Sequence, residues 1–429
     1  MVPNIATLVC GNDYRYSTLG RKPEGSLISY GFSRPLTESE WDTLRSYTRR
    51  VRSLGDDRGL GQKSIWILSL TVEPLFPNLR HLKCKYTRKT APLLLLPFPF
   101  LTSLDVDVAN LRLFPTFVKS FIKFLPNLRK LSIHVYELEV RCMNALTHLS
   151  CMCALTRLDL GFTNMLPIPS DPPLVLPNIR YLTLNCTFLE PISRFLSRTQ
   201  LRNIKYFYVT IEDCPSREEL SRFFDSVQAS GFGHVVKRFK LDQNVFLSDI
   251  ISRNVRTVLG LEDLRPLMAF SKLHHVKLNI PWKVGLTDAD LLTLASAWPR
   301  LKHLLINEDW GWSTRGGITP NGLLRLLQRC RWLYRVALAI DTRGFTELPL
   351  SSASLGTTFR PRWFYIDILD SVIEAESVPA IATFFIGITP RSFPLICAWM
   401  GHGMGVPETV SQVYRDRWDD TYRRVILRD

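Results

Sequence analysis

The sequence lacks the segments that would place a protein in or across a membrane. No apolar run approaches the roughly 18 residues that a membrane-spanning helix needs. The first ten residues, MVPNIATLVC, contain neither a basic start nor the small-residue cleavage site of a signal peptide. These absences predict a protein that makes no membrane contact and works in the cytoplasm or the nucleus.

The sequence also lacks a recognisable catalytic, cofactor-binding or metal-binding constellation. Cys142, His148, Cys151 and Cys153 lie close together, but their spacing matches none of the usual Cys-x2-Cys arrangements of zinc sites. The fragment GLGQKS at 59–64 lacks the glycine that directly precedes the lysine of a phosphate-binding loop. We therefore predict a non-catalytic protein with no cofactor and no bound metal.

Acidic residues are few relative to basic ones. The 429 residues include 54 Lys and Arg against 39 Asp and Glu, a formal net charge of +15, and the pI is near 9.5. Such a balance favours acidic partners, although a dispersed excess of positive charge indicates less than a clustered one. The charge therefore indicates an acidic partner only if the fold brings these cations together on one surface.

What the sequence has in abundance is one repeated phrase, Leu-x-x-Leu-x-Leu, often entered through a proline as in LPNLRKL at 125–131. It returns ten times, and the first residues of neighbouring copies lie 22 to 37 positions apart. The apolar triplets are Leu79/Leu82/Cys84, Leu101/Leu104/Val106, Leu128/Leu131/Ile133, Leu155/Leu158/Leu160, Ile179/Leu182/Leu184, Ile204/Phe207/Val209, Val236/Phe239/Leu241, Leu273/Val276/Leu278, Leu301/Leu304/Ile306 and Leu333/Val336/Leu338.

The spacing within each triplet predicts a short strand. The last two apolar residues are two positions apart, so both point into a core while the residues around them point out. One repeat cannot bury its own apolar face, so consecutive repeats stack. The fold class is therefore predicted to be an α/β leucine-rich-repeat solenoid, with a parallel sheet lining its concave side and helical or irregular returns on the convex side.

The flanks of the repeats differ from the middle. Residues 1–33 show no sustained period and predict an irregular lead-in. The solenoid is predicted over 34–400, beginning with a helix that Thr37 and Glu40 cap. Residues 401–429 predict a loop and a capping helix, because Tyr414, Trp418, Tyr422 and Ile426 recur at helical spacing.

The outward positions of the strands are the best candidates for a binding surface. If the triplets point in, the residues before, between and after their last two members face the concave side, and adjacent strands bring them into one patch. Tyrosine and arginine are frequent among binding hot spots. We predict a partner site, preferring an acidic or phosphorylated segment of a protein target, formed by Tyr181, Tyr206, Tyr208, Arg238, Lys240 and Lys277.

Four longer phrases accompany the repeats: RPLTESEWDTLRSYTRRVRSL (34–54), DADLLTLASAWPRLKHLLINEDWGW (288–312), ITPNGLLRLLQRCRWLYRVALAIDT (318–342) and VYRDRWDDTYRRVI (413–426). Together with the repeated PNLRxL phrases, they make the chain resemble the fungal F-box/leucine-rich-repeat proteins over most of 34–429. The resemblance implies the target-binding part of an SCF-type ubiquitin ligase, in which an N-terminal F-box binds the Skp adaptor, the repeats hold a target and a cullin scaffold presents it.

Three interpretations of the chain stay open at this point, and the first is the target-binding part of such a ligase. Residues 1–33 carry no Leu-Pro-x-Glu phrase typical of an F-box, so adaptor and cullin binding is expected only with an F-box upstream, and the chain as given is not expected to bind the adaptor tightly. A basic solenoid that binds nucleic acid or another polyanion is the second alternative. A truncated fragment without function is the third.

Overall fold

The computed structural model describes residues 37–55, 76–86, 98–108, 118, 125–135, 137–138, 146–165, 174–244, 257–313, 317–343, 345, 364–388, 394–397, 399 and 406–427. The predicted lead-in at 1–33, the fragment at 59–64 and the loop at 401–405 lie outside them. The chain forms two compact units, Met1–Asn185 with Arg198–Gln200, and Cys186–Ser197 with Leu201–Asp429.

Unit 1 is built on parallel strands in the order β1-β2-β3-β4-β6-β9, and two short pairs, β5–β7 and β8–β10, accompany that sheet. Its elements are α1 (Glu38–Thr48), β1 (Ser53–Leu54), β2 (His81–Tyr86), β3 (Ser103–Val108), β4 (Lys130–Val135), β5 (Glu137–Leu138), β6 (Arg157–Phe162), β7 (Asn164–Met165), β8 (Leu174–Val175), β9 (Tyr181–Cys186) and β10 (Thr199–Gln200), with a 3-10 helix at Thr147–Cys151.

Unit 2 is built on parallel strands in the order β11-β12-β14-β16-β17-β18-β19, with a short pair β13–β15 beside them. Its elements are α2 (Leu189–Ser197), β11 (Tyr206–Ile211), α3 (Arg217–Ala229), β12 (Arg238–Gln243), β13 (Val258–Leu259), α4 (Leu261–Met268), β14 (His275–Asn279), β15 (Lys283–Val284), α5 (Asp288–Ala297), β16 (His303–Ile306), α6 (Pro320–Arg329), β17 (Arg335–Ala337), β18 (Phe364–Asp367), α7 (Val378–Ile388), β19 (Pro394–Cys397) and α8 (Glu408–Leu427), with a 3-10 helix at Ala375–Ser377.

The repeat register predicted from the sequence is confirmed. Every residue of the ten triplets is buried, and in the β2–β3, β3–β4, β4–β6, β11–β12, β12–β14 and β14–β16 pairs the last two residues of one triplet align with those of the next. In unit 2, for example, Val276 lies opposite Leu304, which lies opposite Val336. Each unit is thus a leucine-rich-repeat stack, whose core lies between the strands and the returning helices.

The helices begin where capping residues satisfy their first amide groups. Thr37 accepts a hydrogen bond from the Glu40 amide while the Glu40 carboxylate accepts one from the Thr37 amide, as the sequence predicts for α1. The same reciprocal arrangement starts α5, with Thr287 and Asp290. Within the described ranges, no helix combines the length and the apolar character needed to cross a bilayer.

The closing helix α8 is present, but the apolar stripe predicted for it is partly wrong. Trp418 is buried, and its indole N–H donates to the carbonyl oxygen of Ser371 at 2.9 Å. The buried face continues through Thr421 and Val425, whereas Ile426 is exposed. Steps of three and four residues keep one face of a helix inward, so the face follows 418, 421 and 425 rather than strict four-residue steps.

Candidate functional site

The strand register of unit 2 aligns outward residues into rows. The first outward residue of each strand stands beside that of the next, and we call this line the first row. The second outward residue of β11, β12 and β14 forms the second row. The first row contains Tyr206, Arg238, His275, His303, Arg335 and Tyr365; the second row contains Tyr208, Lys240 and Lys277.

Several side chains of the first row contact neighbouring side chains. The Arg238 guanidinium lies 5.4 Å from the centre of the Tyr206 ring, a cation–π distance. The rings of His275 and His303 have centroids 4.5 Å apart, and His303 Nε2 hydrogen bonds with the hydroxyl of Tyr334 at 2.6 Å. Aromatic rings and guanidinium groups thus contact one another at several places along the first row.

The two imidazoles of the first row are neutral at physiological pH. Burial lowers the pKa of His275 to about 3, with further contributions from His303 and Arg238. Burial also lowers the pKa of His303 to about 4, and Arg335 adds to the effect. Arg335 pairs with the carboxylate of Glu308, whereas no carboxylate among the described residues pairs with Arg238.

The second-row lysines are compensated by carboxylates within unit 2. Lys240 Nζ lies 2.5 Å from Asp242 Oδ2 on its own strand. Lys277 Nζ lies 3.1 Å from Glu308 Oε2 and 3.3 Å from Asp309 Oδ2, and its side chain is only 15% exposed. The sequence predicts both lysines as cations available to a partner; the structure shows that each already has an acidic neighbour.

Fewer residues than predicted face outward near the ends of the strands. The sequence pattern predicts outward positions for Leu305, Asn279 and Asn307, but all three residues are buried. The Asn279 amide donates to Asp242 Oδ1 at 2.7 Å and to Asp309 Oδ2 at 2.5 Å. Asn307 turns the chain at φ 55°, and its side-chain oxygen accepts a hydrogen bond from the Ile280 N–H of the preceding repeat.

Of the six residues predicted to form the partner site, the structure places five on the outward side of unit 2. Tyr181 lies on β9 of unit 1, where its side chain is half-buried. Two outward cations of unit 1 also have an acidic neighbour, since Lys130 lies 3.6 Å from Asp159 and Arg157 lies 3.3 Å from the same carboxylate. Among the described residues no carboxylate pairs with Arg238, so its guanidinium stays available on the outward side of unit 2.

The cysteines whose side chains the structure describes are free thiols. Burial raises the pKa of Cys186 to about 11 and that of Cys330 to about 12, so neither is a thiolate at neutral pH. Cys151 and Cys153 are exposed and free. Among the residues that the structure describes, no group of three or more His, Cys, Asp or Glu is placed to hold a metal ion.

The carboxylates around Lys277 lead to a prediction about the free energy of unfolding. Burial alone would lower the pKa of Lys277, but Asp242, Asp309 and Glu308 outweigh it, and the pKa lies above 10.5. A raised pKa contributes stability that is present below 10.5 and is lost as the pH rises through the folded value. Lys277→Met should lower the free energy of unfolding at pH 7 by about 1–3 kcal/mol, because Glu308 and Asp309 lose the charged donor that Lys277 supplies to them.

Urea unfolding of the wild type and the variant at pH 7 and at pH 11 measures this effect. The difference between the two proteins should narrow at the higher pH, where Lys277 itself begins to lose its proton. Lys283→Met removes an exposed lysine of β15 and serves as the matched control. A penalty as large for the control, or one that does not change with pH, would contradict the assignment.

Comparison with known proteins yields no family. No protein-family model matches the sequence, and no curated protein matches it. Among solved structures, the chain is similar to an internalin (inlF) from Listeria monocytogenes str. 4b F2365, with 13% identity, a TM-score of 0.31, and coverage of 73% of this chain and 87% of that one. It is also similar to a chain of the Rad7 and Elc1 complex in yeast, with 12% identity, a TM-score of 0.30, and coverage of 80% and 74%. The fold assignment rests on the strand register and the buried triplets.

Proposed function

We propose that the chain is a non-catalytic protein-interaction module that binds an acidic or phosphorylated segment of a target protein. The observation that carries the proposal is Arg238, which is exposed on the first row beside Tyr206. Within the part of the chain that the structure describes, no carboxylate pairs with it. An unpaired guanidinium on an aromatic surface is suited to carboxylate or phosphate.

The tyrosines and the cation have different tasks in this proposal. Tyr206 and Tyr208 offer large contact area with little rotamer entropy to lose. Arg238 supplies the charge, so salt should weaken binding through it, while affinity depends on the aromatic anchors. Lys240 and Lys277 shape the surface, but their charges are already balanced within unit 2.

The family resemblance extends the proposal to the target-binding part of an SCF-type ubiquitin-ligase receptor. Such a receptor performs no bond chemistry. It raises the effective concentration of a target lysine near the charged conjugating enzyme. Coupling to the ligase would require an F-box that binds the Skp adaptor, together with this target surface.

The test combines Tyr208→Ala with Arg238→Ala and compares cellular partners by quantitative proximity labelling. We expect the double variant to lose about tenfold or more of the labelling of specific partners, since hot-spot residues contribute about 2 kcal/mol each. The fold should stay intact because both side chains face solvent on the strands.

The matched control removes an aromatic and an arginine elsewhere in unit 2. Phe188→Ala with Arg325→Ala changes two exposed side chains, one before α2 and one on α6. Partners should persist with this control. The proposal fails if partners persist equally with the Tyr208 and Arg238 variant, or if crosslinks map them to α3, α5 and α6 instead of the strands.

A further inference from the structure

The residue just before each strand of unit 2 forms another line, which we call the edge row. The row contains Lys205, Lys237, His274, Lys302 and Tyr334. Backbone hydrogen bonds fix its geometry. The carbonyl oxygen of Lys237 accepts from the amides of His274 at 2.7 Å and His275 at 3.1 Å, and the carbonyl oxygen of His274 accepts from Lys302 at 2.7 Å. Lys237, His274 and Lys302 thus occupy equivalent positions on three consecutive strands.

Cations converge on the centre of the edge row. Burial lowers the pKa of His274, and Lys302, Lys237, Arg300 and Arg238 lower it further, so all four positive groups act on one imidazole. Arg300 and Lys302 are exposed, and Lys237 is half-buried. In the described ranges none of the four cations pairs with a carboxylate, in contrast to Lys240 and Lys277 of the second row.

We propose that Lys237, His274 and Lys302, with Arg238 and Arg300 beside them, form a binding site for a phosphate group carried on a side chain of a partner protein. Lys237 and Lys302 lie two strands apart, so their backbones are roughly 10 Å apart and both flexible ammonium groups reach one anion between them. The guanidinium of Arg238 matches the geometry of phosphate oxygens. A neutral His274 donates a hydrogen bond to the same group.

A compact anion fits this site better than a long polyanion. The edge row passes from Lys302 to the uncharged Tyr334, and the exposed Trp332 precedes Tyr334 by two residues, so the cationic stretch of unit 2 is short. Toward the other end of the strands, Asp242, Glu308 and Asp309 gather around Lys277. A nucleic-acid strand laid across the strands would meet these carboxylates, whereas a single phosphate at the edge avoids them.

This site shares Arg238 with the proposed target surface and rests on that proposed function, so the variants that test it change Lys237 and Lys302 and leave the tyrosines and Arg238 unchanged. The probes are a short fluorescein-labelled phosphoserine peptide with neutral flanking residues, its unphosphorylated twin, inorganic phosphate and a single-stranded RNA oligonucleotide. Fluorescence anisotropy measures the peptides and the RNA, and inorganic phosphate serves as a competitor. We expect the phosphopeptide to bind at least about tenfold more tightly than its twin, with competition by phosphate, because two charge-assisted hydrogen bonds separate them.

Lys237→Ala with Lys302→Ala should remove about tenfold of the phosphopeptide affinity. Lys283→Ala with Arg325→Ala lowers the net charge by the same amount at exposed positions on β15 and α6, and should leave the affinity within about twofold. Equal binding of the two peptides, or equal losses in the two double variants, would overturn the proposal.

Tighter binding of RNA than of the phosphopeptide, lost in the Lys237 and Lys302 variant, would also overturn it in favour of a nucleic-acid site. The proposed target surface fails separately. If cellular partners depend on Tyr208 and Arg238 but the phosphopeptide shows no preference, the edge site is wrong and the target surface stands. If the phosphate preference holds while those partners persist in the Tyr208 and Arg238 variant, the edge site stands alone.

Discussion

Replacement of Phe207 by alanine should lower the free energy of unfolding by about 3–5 kcal/mol, the largest effect we expect for a single substitution in unit 2. The Phe207 side chain is completely buried on β11. Its ring centroid lies 5.2 Å from that of Phe232, 5.9 Å from that of Phe239 and 6.2 Å from that of Phe223. These partners come from the next strand, from α3 and from the turn between them, so truncation opens a cavity that rigid neighbours cannot fill.

Equilibrium denaturation followed by far-UV circular dichroism measures the loss. Phe207→Leu keeps most of the volume and should cost about 1.5 kcal/mol or less. Tyr208→Ala changes the adjacent residue on the opposite side of the strand, and its penalty should be small because that ring is partly exposed. Similar penalties for Phe207→Ala and Tyr208→Ala would show that β11 has the opposite facing.

The sequence predicts the strands well because two constraints act together on each repeat. The last two members of each triplet must face the same way, and a repeat can bury them only against its neighbours. A shift of one residue would put Leu82 and Cys84 in solvent and Lys83 in the core, which makes the register almost unambiguous. Strand facing therefore follows from residues such as these without any tertiary information.

The net charge of the binding surface cannot be predicted from the sequence in this way. The sequence gives no sign that Lys277 has acidic neighbours, because Glu308 and Asp309 lie more than 30 residues later and follow a different strand. They reach Lys277 only because the chain turns at Asn307, where φ is 55°. A turn that brings one repeat's loop over the previous strand is a tertiary event with no local sequence signal.

The edge row has a signal in the sequence that the triplet analysis leaves aside. The repeated phrases LPNLRKL and WPRLKHL place a basic residue immediately before each strand, at Arg129 and Lys302. In unit 2 the same position is occupied by Lys205, Lys237 and His274. The sequence does not show which of these cations have acidic neighbours, because that depends on which strands lie side by side.

The repeat architecture predicts that core damage stays within each unit. Leu182→Ala on β9 and Leu304→Ala on β16 should each lower stability by about 2–5 kcal/mol, because both side chains are fully buried. Leu304 lies between Val276 and Val336 of the adjoining strands, so its cavity weakens those contacts first. Repeats contact mainly their neighbours, and stability is close to a sum of local and nearest-neighbour contributions.

Hydrogen exchange of each variant, resolved by segment, tests this locality. Leu304→Ala should reduce the protection of β14, β16 and β17, while β2 to β4 of unit 1 keep their protection. Leu182→Ala should reduce the protection of β6 and β9, while β16 to β18 of unit 2 keep their protection. Thr183→Ala and Lys302→Ala, which alter solvent-accessible neighbours, should leave protection unchanged. Uniform loss of protection through both units would mean that the chain unfolds as one cooperative block. If both leucine variants lose less than about 1 kcal/mol of unfolding free energy, the predicted register is wrong.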